Sequence, residues 1–245
     1  MKTNLTICIL FLASLFFASS CNKDGYFDDS GVHDPNYNGT MLEYFQNHSK
    51  DSTSLFDTLL NVIKIAGLEN TIANENITFF APTDPSIRSA IKELNWQLYT
   101  EGKDTISRLD QVDATVWNKF LRGYMIKENK GITDFPQVDT MALNSYGGQL
   151  YQTLDQDLTV NIGVVYHDLK NGDVVIKYQG PRQLVISYIP DVSKPLENWL
   201  TGYVATSNIA PKNGRLHVIR YLGHSFGFTY RRFANAAIEA GIKYN

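Results

Sequence analysis

The chain has very little cysteine. Its 245 residues include two, Cys8 and Cys21, and both lie near the amino terminus. The chain after Cys21 therefore has no thiol, which excludes disulfides and cysteine-ligated metal sites from that part. A domain of this length without disulfides has to be stabilised by its hydrophobic core, and it is long enough to bury one.

Charge is also sparse. Charged residues make up 19% of the chain, and the formal net charge is -3. Proteins that bind nucleic acid usually carry a basic patch, and this balance gives no sign of one. The sequence therefore predicts no nucleic-acid partner. Hydrophobic residues make up 43%, which is typical of a globular protein.

Catalytic motifs are missing as well. The sequence has no nucleophile elbow, no His-Glu-x-x-His, no phosphate-binding glycine loop and no Cys-x-x-Cys. His167 and Asp168 could form half of a catalytic relay, but no nucleophile is placed beside them, which favours a pair on a loop. We predict no catalytic residue, no metal and no cofactor. A carboxylate-dependent hydrolase, which would use Asp or Glu in a cleft, is the least favoured alternative.

The one long apolar run lies at the start of the chain. Ile7–Phe17 follows Lys2 and is too short to span a membrane in a mature protein. Small residues, Ala18-Ser19-Ser20, come directly before Cys21. This arrangement resembles a bacterial lipoprotein signal, which implies removal of residues 1–20 and a lipid anchor on Cys21. The alternative is an ordinary secretory signal in which Cys21 is incidental.

Residues 21–38 have the composition of a flexible tether. They carry glycine and several aspartates and few apolar residues, so they cannot pack well. The residue after Cys21 is Asn22 and not aspartate. By resemblance to lipoprotein sorting rules, this implies attachment to the outer membrane, on the cell surface or on the periplasmic face.

The most informative stretch begins at Ile77. Residues Ile77–Phe80 are β-branched or aromatic, which predicts a buried strand, and Pro82 predicts its end. Thr83 or Asp84 is placed to cap a helix, and Pro85 suits the first helical turn. Apolar residues then follow at helical spacing, namely Ile87, Ala90, Ile91 and Leu94.

Two motifs resemble signatures of the fasciclin domain. The first is Phe80-Ala81-Pro82-Thr83-Asp84, and the second is Asn213-Gly214-Arg215-Leu216-His217-Val218-Ile219. The resemblance covers about residues 40–222. It implies an α+β fold, a β-sandwich or wedge with packed helices, in which the strand before Pro82 meets the strand around Leu216. Met125 stands where the family usually has a histidine after its tyrosine, so functions tied to that pair do not transfer.

We place the fasciclin-like domain at residues 39–245, with insertions near 95–111 and 166–201 and a helix at the carboxyl end. Asn171-Gly172 indicates a hairpin, and an additional hairpin or extended loop is expected around residues 179–199. Alternating apolar residues predict further strands at Leu150–Leu154, Leu158–Val165, Asp173–Tyr178 and Gln183–Ile189.

Aromatic residues are the candidates for ligand binding. Trp96 and Tyr99 fall in the first insertion, and Trp199 and Tyr203 fall at the end of the second. Flat rings on loops suit stacking on sugars or contacts at protein hot spots. The alternative is that these rings cover local clusters of their own chain.

The resemblance implies a non-enzymatic, lipid-anchored protein of the cell envelope. Fasciclin-like domains are associated with adhesion, so protein or glycan partners are expected. An accessory subunit of an outer-membrane system for glycan or nutrient uptake is the alternative.

Overall fold

The computed structural model describes residues 35–50 and 54–244. The predicted signal peptide, the predicted lipid-bearing Cys21 and most of the predicted tether lie outside these residues. From Pro35 onward the chain forms one compact unit.

Six α-helices are present among the described residues. Local capping explains where two of them start. Thr40 and Glu43 form a reciprocal capping box at the first helix, and Asp113 accepts the N–H of Thr115 at the fifth. The helices are α1 Met41–His48, α2 Asp57–Ile65, α3 Glu69–Asn74, α4 Asp84–Thr100, α5 Ala114–Arg122 and α6 Tyr230–Ala240.

The strands of the described part form a seven-stranded sheet and a separate hairpin. The sheet order is β2-β1-β9-β8-β7-β4-β3, and the hairpin consists of β5 and β6. Only β1 and β9 run parallel within this sheet. The strands are β1 Ile77–Ala81, β2 Met125–Ile126, β3 Gln149–Gln152, β4 Thr159–Tyr166, β5 Leu169–Asn171, β6 Val174–Ile176, β7 Arg182–Tyr188, β8 Leu200–Ile209 and β9 Gly214–Ile219.

The two signature motifs meet in the middle of this sheet. Phe79 of β1 lies opposite Leu216 of β9 in a continuous parallel register. The prediction that these distant segments belong to one body is therefore confirmed.

The sheet curls until its outer strands meet. Leu154, which follows β3, donates its N–H to the carbonyl of Met125 in β2 over 2.8 Å. The ring of Phe135 lies between the two ends, with its centroid 6.1 Å from Phe80 of β1 and 5.7 Å from Tyr151 of β3. The sheet is thus nearly closed and helices pack against it, which confirms the predicted α+β fold.

Trp117 of α5 lies at the centre of an aromatic cluster in the core. Its ring centroid is 4.7 Å from Phe233 of α6 and 5.7 Å from Phe226. Its indole N–H donates to the carbonyl of Leu109 over 3.0 Å, so the buried polar atom is satisfied. The cluster attaches the carboxyl-terminal helix to the body of the domain.

The secondary structure that we predicted for the first insertion is wrong. We expected a connection from residue 95, but α4 continues to Thr100. The buried Leu98 extends the apolar spacing of the helix by one turn. Asn95 fastens the following loop to the helix, because its side chain bonds both the N–H and the carbonyl of Ile106, over 2.8 and 2.9 Å. Trp96 and Tyr99 therefore lie on a helix and not on a loop.

The hairpin predicted at Asn171-Gly172 is confirmed, because β5 and β6 pair across residues 169–176. No additional hairpin forms at residues 179–199. Arg182–Tyr188 forms β7, close to the predicted strand 183–189, and pairs with both β4 and β8, while residues 189–199 form an extended loop between β7 and β8. Val185 and Ile186 point to opposite faces of β7 and are both buried, so both faces of this strand are covered.

Candidate functional site

The most exposed of the predicted site residues are Trp96 and Tyr99. They lie one helical turn apart on α4, with 59% and 75% of their surfaces accessible. We call this pair the α4 platform. Residues three apart on a helix are neighbours on its surface, so the two rings form one aromatic patch. This exposure favours the interpretation of the two rings as ligand-binding residues over the alternative that they cover a cluster of their own chain.

The helix beneath the α4 platform is firmly held. Ile87, Ala90, Leu94 and Leu98 on its other face are fully buried, and α4 packs along α6. The two hydrogen bonds of Asn95 to Ile106 fix the end of the helix. Rings on a rigid support lose little conformational entropy on binding, which favours them as anchors for a ligand.

Trp199 and Tyr203 are placed differently. Trp199 is half-buried, and its indole N–H donates to the carbonyl of Pro195 over 2.7 Å. Tyr203 lies on β8 with its ring 5.4 Å from the guanidinium of Arg220. No ring contact in the described part of the chain joins either residue to the α4 platform. The structure thus brings Trp96 and Tyr99 together on α4, while Trp199 and Tyr203 lie apart from them at the start of β8.

The histidines show no catalytic arrangement. The ring of His167 contacts the side-chain oxygen of Gln183 at 3.3 Å, while Asp168 accepts the N–H of Tyr178 over 3.0 Å. His167 and Asp168 thus bond to different partners and not to each other. These contacts favour the interpretation of His167-Asp168 as a loop pair.

His217 is a buried structural residue. Its Nε2 atom donates to the carbonyl of Lys130 over 3.0 Å, and Nδ1 accepts the N–H of Asn208 over 3.2 Å. Both contacts suit a neutral ring, and burial lowers the pKa of His217 to about 4. The imidazole therefore joins β9 to the segment after β2.

A second buried imidazole went unrecognised in the sequence. The hydroxyl of Tyr124 lies 3.0 Å from Nε2 of His224 and accepts the N–H of Gly227 over 2.8 Å. Burial lowers the pKa of His224 to about 4. Met125 has no imidazole that could contact Tyr124. His224, a hundred residues further along the chain, supplies one instead. No local pattern could have indicated this pair.

The sheet also contains a cleft that the sequence did not indicate. At Val204, β8 leaves β7 and pairs with β9 instead, with shifts in register. β7 and β8 separate here around a space of about 320 Å³. This space is lined by His167, Pro181, Arg182, Gln183, Leu184, Val204, Ala205 and Ser207. The Arg182 guanidinium stacks on the Tyr166 ring at 3.6 Å beside it. The cleft is open and largely polar.

Residues 35–50 and 54–244 contain no group of three or more His, Cys, Asp or Glu side chains that could hold a metal ion. Over the same residues, no helix combines the length and hydropathy that crossing a bilayer requires.

The family model of the fasciclin domain matches residues 54–222. The match covers more than half of the chain, and it includes both motifs and the strands that they form. The chain therefore belongs to the fasciclin domain family, which is known from cell adhesion proteins.

A solved structure of a FAS1 domain pair from the insect cell adhesion molecule fasciclin I is also similar. Its sequence is 12% identical, the TM-score is 0.35, and the match covers 78% of this chain and 46% of that one. This chain thus spans less than half of the insect structure. No curated protein matches the sequence.

Proposed function

We propose that this protein is a non-enzymatic adhesion protein of the cell envelope that contacts a glycan or a protein through the α4 platform. Membership of the fasciclin family supports the adhesion role. The observation that carries the choice of surface is the exposure of Trp96 and Tyr99 on a rigid helix.

The chemistry of the platform fits this role. Tryptophan and tyrosine present flat apolar faces with a polar edge, which suits both sugar rings and protein hot spots. Lys92 lies one turn before Trp96 on α4, and Lys103 lies just beyond the end of the helix, where it pairs with Glu101 over 2.7 Å; both lysines are exposed. Each can supply hydrogen bonds at the rim of a stacked ligand.

Attachment to the membrane is part of the proposal. Cys21 would carry the lipid and residues 22–38 would hold the domain away from the outer membrane. The composition of residues 1–38 supports this, since a short apolar run and small residues precede a lone cysteine.

Binding is tested with residues 22–245, which lack the proposed lipid anchor, screened on glycan arrays and in pull-downs from envelope extracts. We expect a ligand whose affinity falls roughly 30-fold in Trp96→Ala, because loss of a hot-spot aromatic costs about 2 kcal/mol. Tyr99→Ala should weaken the same ligand.

Met141→Ala is the matched control. Met141 is 93% exposed and lies outside the platform, so its removal should leave binding unchanged. Equal binding by the wild type and Trp96→Ala, with both proteins folded, would contradict the choice of surface. Blank arrays and pull-downs would contradict the adhesion role itself.

The anchor has a separate test. Mass spectrometry of the mature protein should find Cys21 as an acylated first residue, and Cys21→Ser should move the protein from the membrane to the soluble fraction. An unmodified Cys21 would contradict the anchor. Protease treatment of intact cells distinguishes a surface domain, which is cleaved, from a periplasmic one.

A further inference from the structure

The β5–β6 hairpin exposes an unusual amount of apolar surface. Leu169, Val174, Val175 and Ile176 are each between 38% and 60% accessible, and every residue from 167 to 177 is exposed. Two-stranded hairpins are marginally stable in water, and exposed edges of aliphatic strands tend to pair with other strands. This hairpin therefore has the properties of a strand-pairing surface.

The base of the hairpin is fixed to the domain. The hydroxyl of Tyr178 donates to Asp139 over 2.9 Å, and its N–H donates to Asp168 over 3.0 Å. Gly180 donates its N–H to the carbonyl of His167 over 2.7 Å, which closes the stem. The hairpin is thus held in place by its base, while the strands themselves stay accessible.

The turn determines which backbone groups face outward. Two residues, Gly172 and Asp173, join the strands, and Gly172 has a φ of 58°, as a type II′ turn requires. Asn171 and Val174 form the hydrogen-bonded pair next to this turn, so Lys170 and Val175 form a non-hydrogen-bonded pair. The N–H and carbonyl of Val175 therefore point away from β5, along an edge that no other described strand covers.

The sequence around Val175 is complementary to itself. Residues 173–177 are Asp-Val-Val-Ile-Lys. In an antiparallel pair centred on Val175, Asp173 of each chain lies opposite Lys177 of the other, and Val174 lies opposite Ile176. No ion pair in the described part of the chain uses Asp173 or Lys177. Opposite charges and β-branched residues are the cross-strand pairs that stabilise a sheet.

We propose that β6 pairs with β6 of a second copy of this chain about a two-fold axis at Val175. The two hairpins then form one four-stranded sheet, in which Val175 of each chain exchanges both of its backbone hydrogen bonds with the other. Leu169, Val174 and Ile176 of both copies lie on one face of this sheet. The contact is small, so the dimer is weak and depends on concentration.

This inference is independent of the proposed function, because the α4 platform takes no part in it. It is tested by sedimentation velocity of residues 22–245 over a wide concentration range. The body from Pro35 onward is compact and has its own core, so residues 22–245 should fold without the signal peptide and Cys21. We expect a reversible equilibrium between monomer and dimer.

Charge swaps give the sharpest test. Asp173→Lys alone and Lys177→Asp alone each place like charges opposite each other at both ends, and should weaken the dimer roughly tenfold. The double variant, Asp173→Lys with Lys177→Asp, should restore it. A mixture of the two single variants should form heterodimers, since each then meets the opposite charge.

Several results would overturn the proposal: a wild type that stays monomeric at all concentrations, single variants that dimerise as the wild type does, or a double variant that stays monomeric. Circular dichroism and thermal melts should show the same fold and stability for all variants, because both side chains are exposed.

Discussion

At the scale of single residues, Asp84 shows how a local pattern can identify a residue and miss its partner. The sequence placed Thr83 or Asp84 as the cap of α4. Thr83 occupies the N-cap position but makes no capping bond. The carboxylate of Asp84 instead accepts the N–H groups of Thr58 and Leu59, each over 2.9 Å, at the start of α2. This buried carboxylate joins two helices.

Removing this carboxylate should destabilise the domain. In Asp84→Ala, the two N–H groups lose a charged acceptor in a buried place, at a cost of roughly 3 kcal/mol. Asp84→Asn should cost less, because the amide oxygen can still accept one bond. Urea unfolding followed by circular dichroism measures both.

Asp110→Ala is the control for Asp84. Asp110 pairs with Arg108 on the surface, with both side chains 58% exposed, so its loss should change the unfolding free energy by less than about 1 kcal/mol. If Asp84→Ala were as stable as Asp110→Ala, the helix-joining role would be wrong.

At the scale of elements, the parallel pair of β1 and β9 depends on a close approach at Gly214. This residue has a φ of 145° and lies opposite Ile77. A side chain here would overlap the carbonyl oxygen of Ile77. Asn213, just before it, holds the same corner, since its amide donates to Ile72 and its oxygen accepts the N–H of Met41, each over 2.8 Å.

Gly214→Ala should therefore separate β1 from β9. Strained backbone and overlap together should lower the unfolding free energy by more than about 3 kcal/mol, measured by thermal and urea unfolding. Gly67→Ala is the matched control: Gly67 also has a positive φ, 66°, but has open space around it. It should cost only about 1 kcal/mol. Equal costs at the two positions would contradict the close-approach explanation.

At the scale of the whole molecule, two buried neutral histidines make stability depend on pH. Burial lowers the pKa of both His217 and His224 from 6.5 to about 4. A histidine with a depressed folded pKa stabilises the fold fully above the unfolded pKa. Its contribution falls as the pH drops from about 6.5 toward 4, because the unfolded chain then binds protons that the folded chain excludes.

We expect the unfolding free energy to be constant above about pH 7 and to fall by roughly 2–3 kcal/mol for each buried histidine by about pH 4.5. Urea unfolding across this range measures the fall, and NMR titration of the imidazole protons assigns it. His167→Gln, which removes an exposed histidine, should leave the curve unchanged. Titration of His217 or His224 near pH 6.5 in the folded protein would contradict the prediction.

By itself the sequence determined the elements whose signals are local. The strand before Pro82, the start of the helix after it and the hairpin at Asn171-Gly172 each depend on residue types within a few positions, so the local pattern was sufficient to predict them. The pairing of β1 with β9 was predicted from the two signature motifs.

Only the tertiary structure decided which residues meet across long separations. Asp84 finds its N–H partners about 25 residues earlier, and Tyr124 finds His224 a hundred residues later. The departure of β8 from β7, which opens the cleft, and the continuation of α4 beneath Trp96 and Tyr99 are likewise set by packing partners. Burial and hydrogen bonding depend on which residues are neighbours in space. The amino-acid sequence shows only which residues are neighbours along the chain, so these contacts could not be predicted from it.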